Sequence, residues 1–111
     1  MSLNRDQITE FDDRPSALVD VWGGQVMVKA MSTKDRIDFE AAQKDNKSQT
    51  EMVVLYVLYS CTDDNGNKLF KLEDKELIES KSPASLLKIF NASISLNTLN
   101  SETIEEQAKN S

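Results

Sequence analysis

Apolar residues are sparse over residues 1–16, a stretch that ends in the polar run Asp12-Asp13-Arg14-Pro15-Ser16. It reads as a flexible arm with Phe11 as its anchor, ahead of a single domain spanning 17–111. The pattern then changes. Leu18 to Trp22 and Gln25 to Ala30 are two β-rich runs on either side of Gly23-Gly24. Paired glycines supply the positive φ angles that a tight hairpin turn requires, so a β-hairpin is predicted here. In the second run Val26 and Val28 alternate with Gln25, Met27 and Lys29, which places one apolar face on the ribbon. An isolated hairpin is marginal in water, so that face must pack on helices.

The helical signals follow. Ser32 is placed to cap a helix that carries Asp35 in its first turn and runs to about Lys44. Asp45 to Ser48 is a polar linker. The run Met52 to Tyr59 is ambiguous. Its β-branched and aromatic residues favour a strand, whereas its length after a Thr50 cap favours a helix. A mostly buried helix is expected, with Val54, Leu55, Leu58 and Tyr59 inward. Thr62 to Lys68 is a turn, and Leu69-Phe70 returns to the core. A short helix is predicted over Glu73 to Glu79. Ser82-Pro83 is a capping serine followed by proline at the first helical position. The helix it opens is expected to reach about Leu96, with Leu86, Leu87, Phe90 and Ile94 on one face. A last, weakly ordered helix is expected from Glu102 to about Lys109. Together these give an α+β domain in which an N-terminal hairpin packs on about four helices.

Charge narrows the partners. With 19 acidic and 13 basic residues the chain carries −6, and no basic stripe stands out, so nucleic acid is disfavoured. The longest apolar run is far too short for a bilayer, and no basic-then-apolar leader is apparent. A cytoplasmic protein without a membrane partner is expected. One cysteine rules out an internal disulfide framework.

Chemistry narrows the function further. The chain has no histidine, which removes the commonest neutral-pH base and any triad built on it. With Cys61 alone, no ordinary zinc site is possible. No phosphate-binding glycine motif occurs. Asp63-Asp64-Asn65-Gly66-Asn67 imitates a calcium loop. Setting Gly66 at its sixth position, however, puts Cys61 at the first and Leu72 at the twelfth, where oxygen ligands are needed. A turn in which Asp63 and Asn65 bond local backbone is the simpler reading. The pairs Glu73/Asp74 and Glu105/Glu106 fall on polar helix faces and read as solvated. Cys61 ends an apolar run and reads as a buried, inert thiol. No enzyme, metal or cofactor is expected, which leaves protein binding.

Several features taken in order resemble a known family. They are the hairpin from Val19 to Lys29, the capped helix from Ser32 to Glu40, and Asp64-Asn65-Gly66 with Leu69-Phe70. The segment Leu77 to Phe90, the helix end at Leu96-Asn97 and the terminal Lys109-Asn110-Ser111 complete them. Over nearly the whole chain from Val19 onward, this order is similar to that of the tail assembly chaperones of long-tailed bacteriophages and prophages. The resemblance implies a non-enzymatic protein of the host bacterial cytoplasm. It would bind the long, apolar tape measure protein and keep it soluble until tail tube protein polymerises around it. It also implies a homo-oligomer and a longer form made by frameshifting, and Lys109-Asn110 is compatible with a slippery A-rich codon pair. Residues expected to touch partners are Trp22, Met27, Tyr56, Phe70, Leu99 and Ile104. The methionines Met27, Met31 and Met52 suit either an adaptable surface or simple core filling. The alternative reading is a small regulatory module, inhibitor or antitoxin-like, that binds one folded target.

Overall fold

The computed structural model describes residues 2–44 and 48–109, with side chains described as far as Thr98. Asp45, Asn46 and Lys47 of the expected linker, and Asn110 of the Lys-Asn pair, lie outside the described residues.

Near the N-terminus, α1 (Arg5–Glu10) is closed by a reciprocal cap. Asn4 Oδ1 accepts the Gln7 N–H at 2.9 Å, and the Gln7 side chain accepts the Asn4 N–H at 3.0 Å. None of its residues is buried.

The hairpin is formed by β1 (Ser16–Val21) and β2 (Gly24–Lys29), antiparallel, in a register that pairs Val21 with Gly24. That register leaves Trp22-Gly23 as the turn, one residue earlier than the expected Gly23-Gly24. Both turn residues have positive φ, 55° at Trp22 and 78° at Gly23, as a mirror-image hairpin turn demands. Strand alternation sends Ala17, Val19 and Val21 inward, and cross-strand pairing puts Val26 and Val28 beside them. Leu18 and Met27 pair on the opposite face. A strand that was not anticipated, β3 (Cys61–Thr62), pairs antiparallel with β2 through Met27↔Thr62 and Val28↔Cys61, giving the order β1-β2-β3.

α2 (Thr33–Lys44) begins as expected, with Ser32 Oγ accepting the Asp35 N–H at 3.1 Å. α3 (Gln49–Ser60) settles the ambiguous run in favour of a helix. Its cap is Ser48, which accepts the Glu51 N–H at 3.4 Å, and not Thr50. Val54, Leu55, Leu58 and Tyr59 are buried as expected, and Val57 with them. A helix buried on most sides gains more from packing than β-propensity can oppose. The chain then turns through Asp63–Asn67, passes a 3-10 helix (Leu72–Asp74), and forms the short α4 (Lys75–Glu79).

α5 (Pro83–Lys109) is one continuous helix, where two separated by a break were expected. Its inward stripe also differs from the expectation. Leu86, Ile89, Ser93 and Asn97 are buried, whereas Leu87 points outward and is 45% exposed. Ser93 and Asn97 occupy core positions because they are satisfied there. Asn97 Oδ1 accepts the Met31 N–H at 2.9 Å, and Asn97 Nδ2 donates to the Ser93 carbonyl at 2.8 Å and to Ser93 Oγ at 3.1 Å. Ser93 Oγ in turn shares a 2.6 Å hydrogen bond with Ser60 Oγ. This buried chain ties α5 to the end of α3 and to the β2–α2 connection. Around it, Val28, Val57, Ile78 and Ile89 are almost wholly excluded from solvent.

Candidate interaction surface

The groups whose chemistry is perturbed are explained by burial or by local backbone hydrogen bonds. Cys61 is fully buried, and burial pushes its thiol up to about 12, so it is not a thiolate nucleophile at neutral pH. Asp63 is held below the usual carboxylate range by the backbone N–H of Asn67, with that of Asn65 adding to it. Its Oδ1 accepts them at 2.9 and 2.8 Å. With Gly66 at φ 84°, this is the expected turn, in which one carboxylate oxygen is already engaged by backbone. Burial raises the hydroxyls of Tyr56 and Tyr59. Asp35 is paired at 2.5 Å with Lys68, whose ammonium stands 5.0 Å from the centre of the Tyr59 ring.

The residues expected to touch partners do not converge on one spot. Trp22 is 41% exposed at the hairpin tip, because the turn lifts it out of the sheet. Met27 is half-buried on the outer sheet face, directly opposite Leu18. Tyr56 is half-buried between Phe39 and Phe90, with ring centroids at 4.6 and 5.1 Å, and part of its surface reaches solvent. Phe70 leans on the core and lines a hollow of about 290 Å3 with Leu58, Tyr59 and Leu72. Leu99 and Ile104 belong to α5, but their side chains lie outside the described residues.

Other exposed apolar groups were not anticipated. Leu18 stands 56% exposed beside Met27, and Leu72 and Leu77 project from the 3-10 helix and α4 at 63% and 51%. Leu18 was legible, since strand alternation opposes it to Val19. A groove of about 370 Å3 between the start of α3 and the α4–α5 corner is walled by Val53, Val54, Pro83, Leu86 and Leu87. A second hollow, about 530 Å3, adjoins the hairpin tip and is lined by Asp20, Val21, Trp22, Gln25 and Lys88. Apolar projections scattered beside such grooves are the kind of surface on which another polypeptide can dock. No helix among the described residues is long and apolar enough to cross a membrane.

No family model matches the chain, and no curated protein matches it in sequence. Among solved structures it is similar to the tail assembly chaperone of bacteriophage HK97, with a TM-score of 0.58 and 15% identity. The match covers 82% of this chain and 90% of that one. At that identity the likeness is one of fold, and it takes in about four fifths of this chain.

Proposed function

We propose that this protein is a non-enzymatic tail assembly chaperone of a long-tailed bacteriophage or prophage. In this role it binds the tape measure protein in the host cytoplasm and keeps it soluble while the tail is built. The observation that carries the reading is the fold it shares, over 82% of its length, with a tail assembly chaperone. The surface supports it. Apolar groups such as Trp22, Leu18, Leu72 and Leu77 stand exposed on a chain of net charge −6. That combination holds an apolar client while keeping the complex in solution. Trp22, Met27, Tyr56, Phe70, Leu99 and Ile104 are the proposed partner-facing positions. Tail tube protein and further copies of this chain are proposed partners during assembly.

The test is co-expression with the tape measure protein encoded in the same gene cluster, scored by solubility and co-elution. The expected result is a soluble tape measure protein that co-purifies with this chain. A tape measure protein that stays insoluble beside both this chain and its frameshift-extended form would sink the reading.

A further inference from the structure

The outer edge of β1 offers backbone groups to a neighbour. The Pro15 carbonyl accepts the Ala30 N–H at 2.9 Å, and the two-residue turn makes Val21 and Gly24 a hydrogen-bonded pair. Such pairs alternate along an antiparallel ladder, so Ala17, Val19 and Val21 turn their N–H and C=O groups toward β2. Ser16, Leu18 and Asp20 turn theirs the other way. β3 lies on the far side of β2, and α5 packs on the inner face of the sheet. Among the described residues, no backbone group meets Ser16, Leu18 or Asp20 along that edge. Native edges are commonly blunted by a bulge, a proline or lysines. β1 is paired without a bulge from Ser16 to Val21 and holds no proline or lysine. Its one charge, Asp20, accepts a hydrogen bond from Gln25 Nε2 of its own hairpin at 3.0 Å. An edge of this kind is a template for another extended strand.

The residues of β1 say which strand fits. Two copies laid antiparallel must oppose outward residues to outward residues, so their registers differ in steps of two. Only the register centred on Leu18 uses Ser16, Leu18 and Asp20 of both strands. In it Leu18 meets Leu18 of the second copy, and Ser16 meets Asp20 at either end. No like charges stand opposite one another, whereas a centre at Asp20 would oppose two carboxylates. On the inner face Ala17 is set against Val19, apolar against apolar. On the outer face Leu18 is 56% exposed, with Met27 as its cross-strand neighbour in the same hairpin. Pairing in this register therefore builds one apolar row, Met27, Leu18, Leu18 and Met27, across the two copies. In a single copy the row is half as wide and stops at an open edge. β1 is thus complementary to itself in backbone, apolar pattern and charge.

We propose that two copies of this chain pair antiparallel through their β1 edges, about a two-fold axis at Leu18, and that the apolar row for a client is complete only in the pair. Two three-stranded sheets become one continuous sheet. The axis is perpendicular to that sheet, so the helices of both copies lie on its inner side and the row stays open on the other. The pairing stands without the chaperone reading; the use of the row by a client rests on it.

Cysteine cross-linking of the purified full chain tests the pairing and its register, since the native thiol, Cys61, is buried. Opposed residues of a hydrogen-bonded pair lie about 5.5 Å apart at Cα, within the span of a disulfide. Leu18→Cys should therefore give a covalent dimer under mild oxidation, read on a non-reducing denaturing gel. Asp20 stands about 14 Å from Asp20 of the second copy, four residues along the strands, which is too far to bridge. Asp20→Cys should not cross-link to itself, but should do so when mixed with Ser16→Cys. Leu18→Lys opposes two ammonium groups at the axis. It should sediment as a monomer with the circular dichroism of the wild type, and should lose the tape measure protein in co-purification. Leu18→Cys that cross-links no faster than Asp20→Cys would overturn the proposal. So would a dimer that survives Leu18→Lys, which would place the contact elsewhere. A wild type that is monomeric by itself, with client lost in Leu18→Lys, would assign the edge to an extended client segment and also overturn it. Client fully retained by a monomeric Leu18→Lys would remove the row from client binding. The cross-linking uses no client, so failure of the wild type to hold the tape measure protein would count against the chaperone reading and leave the pairing to its own result.

Discussion

At Thr62 the hydroxyl is buried with no hydrogen-bond partner among the described residues. A polar atom in that position forfeits its hydration without return. Thr62→Val keeps the shape, preserves the β-branched geometry suited to β3, and removes the orphan. It is expected to raise stability by about 1 kcal/mol, read as a higher denaturation midpoint at unchanged slope. An unchanged or lower midpoint would show that the hydroxyl finds a partner. Titrating groups set a second residue-scale expectation. Burial raises Cys61 from its ordinary 9.0 to about 12, so the unfolded chain releases this proton first. Its contribution is complete below pH 9 and is lost as pH rises through 12, at up to about 1.4 kcal/mol per pH unit. Tyr56 and Tyr59, also raised by burial, act in the same direction above 10. Asp63 has the opposite sign. Held below 3.8, it contributes fully above that value and loses its contribution as the solution becomes more acid. Unfolding midpoints against pH should therefore fall on both flanks, with Cys61→Ala flattening the alkaline one. An alkaline flank of unchanged slope in that variant would assign the loss to other groups.

Among the elements, α5 separates what a sequence reveals from what it hides. The hairpin strands, the α2 cap at Ser32 and the burial of α3 were legible because each follows from local periodicity or capping chemistry. The continuity of α5 was not. Asn97 and the polar residues after it resemble a helix end, and Ser93 and Asn97 interrupt the apolar stripe that marks a buried face. They lie inward only because Ser60 and the Met31 N–H meet them there, and those partners are remote in sequence. Leu87 was assigned to the wrong face for the same reason: with Ser93 and Asn97 discounted, the remaining leucines no longer fix the helical phase. β3 was illegible too, since a two-residue strand carries no alternation to read. Two substitutions on α5 expose the difference. Asn97→Ala strands the buried Met31 N–H and should cost about 2 kcal/mol. Leu87→Glu, at an outward position, should change stability by less than about 0.5 kcal/mol. Equal losses in chemical denaturation would contradict this assignment of faces. As for the interaction surface, the sequence could suggest Trp22 but not its surroundings, because Lys88 reaches the tip only through the packing of α5 on the hairpin.

At the scale of the molecule, the sheet and helices close over a single sulfhydryl. Cys61 sits where β3 meets both β2 and the end of α3, and none of its surface reaches solvent. With one cysteine in the chain, any reaction with an aromatic disulfide reagent reports on one site, and that site is reached only when the structure parts. The protein therefore carries its own clock for opening. Labelling should run roughly 10³- to 10⁶-fold slower than in the denatured chain, with an opening free energy matching that of global unfolding. Appreciably faster labelling would mean that the β3 edge peels away by itself. In that case the same stopwatch, run with and without a bound client, would tell whether capture holds the sheet shut.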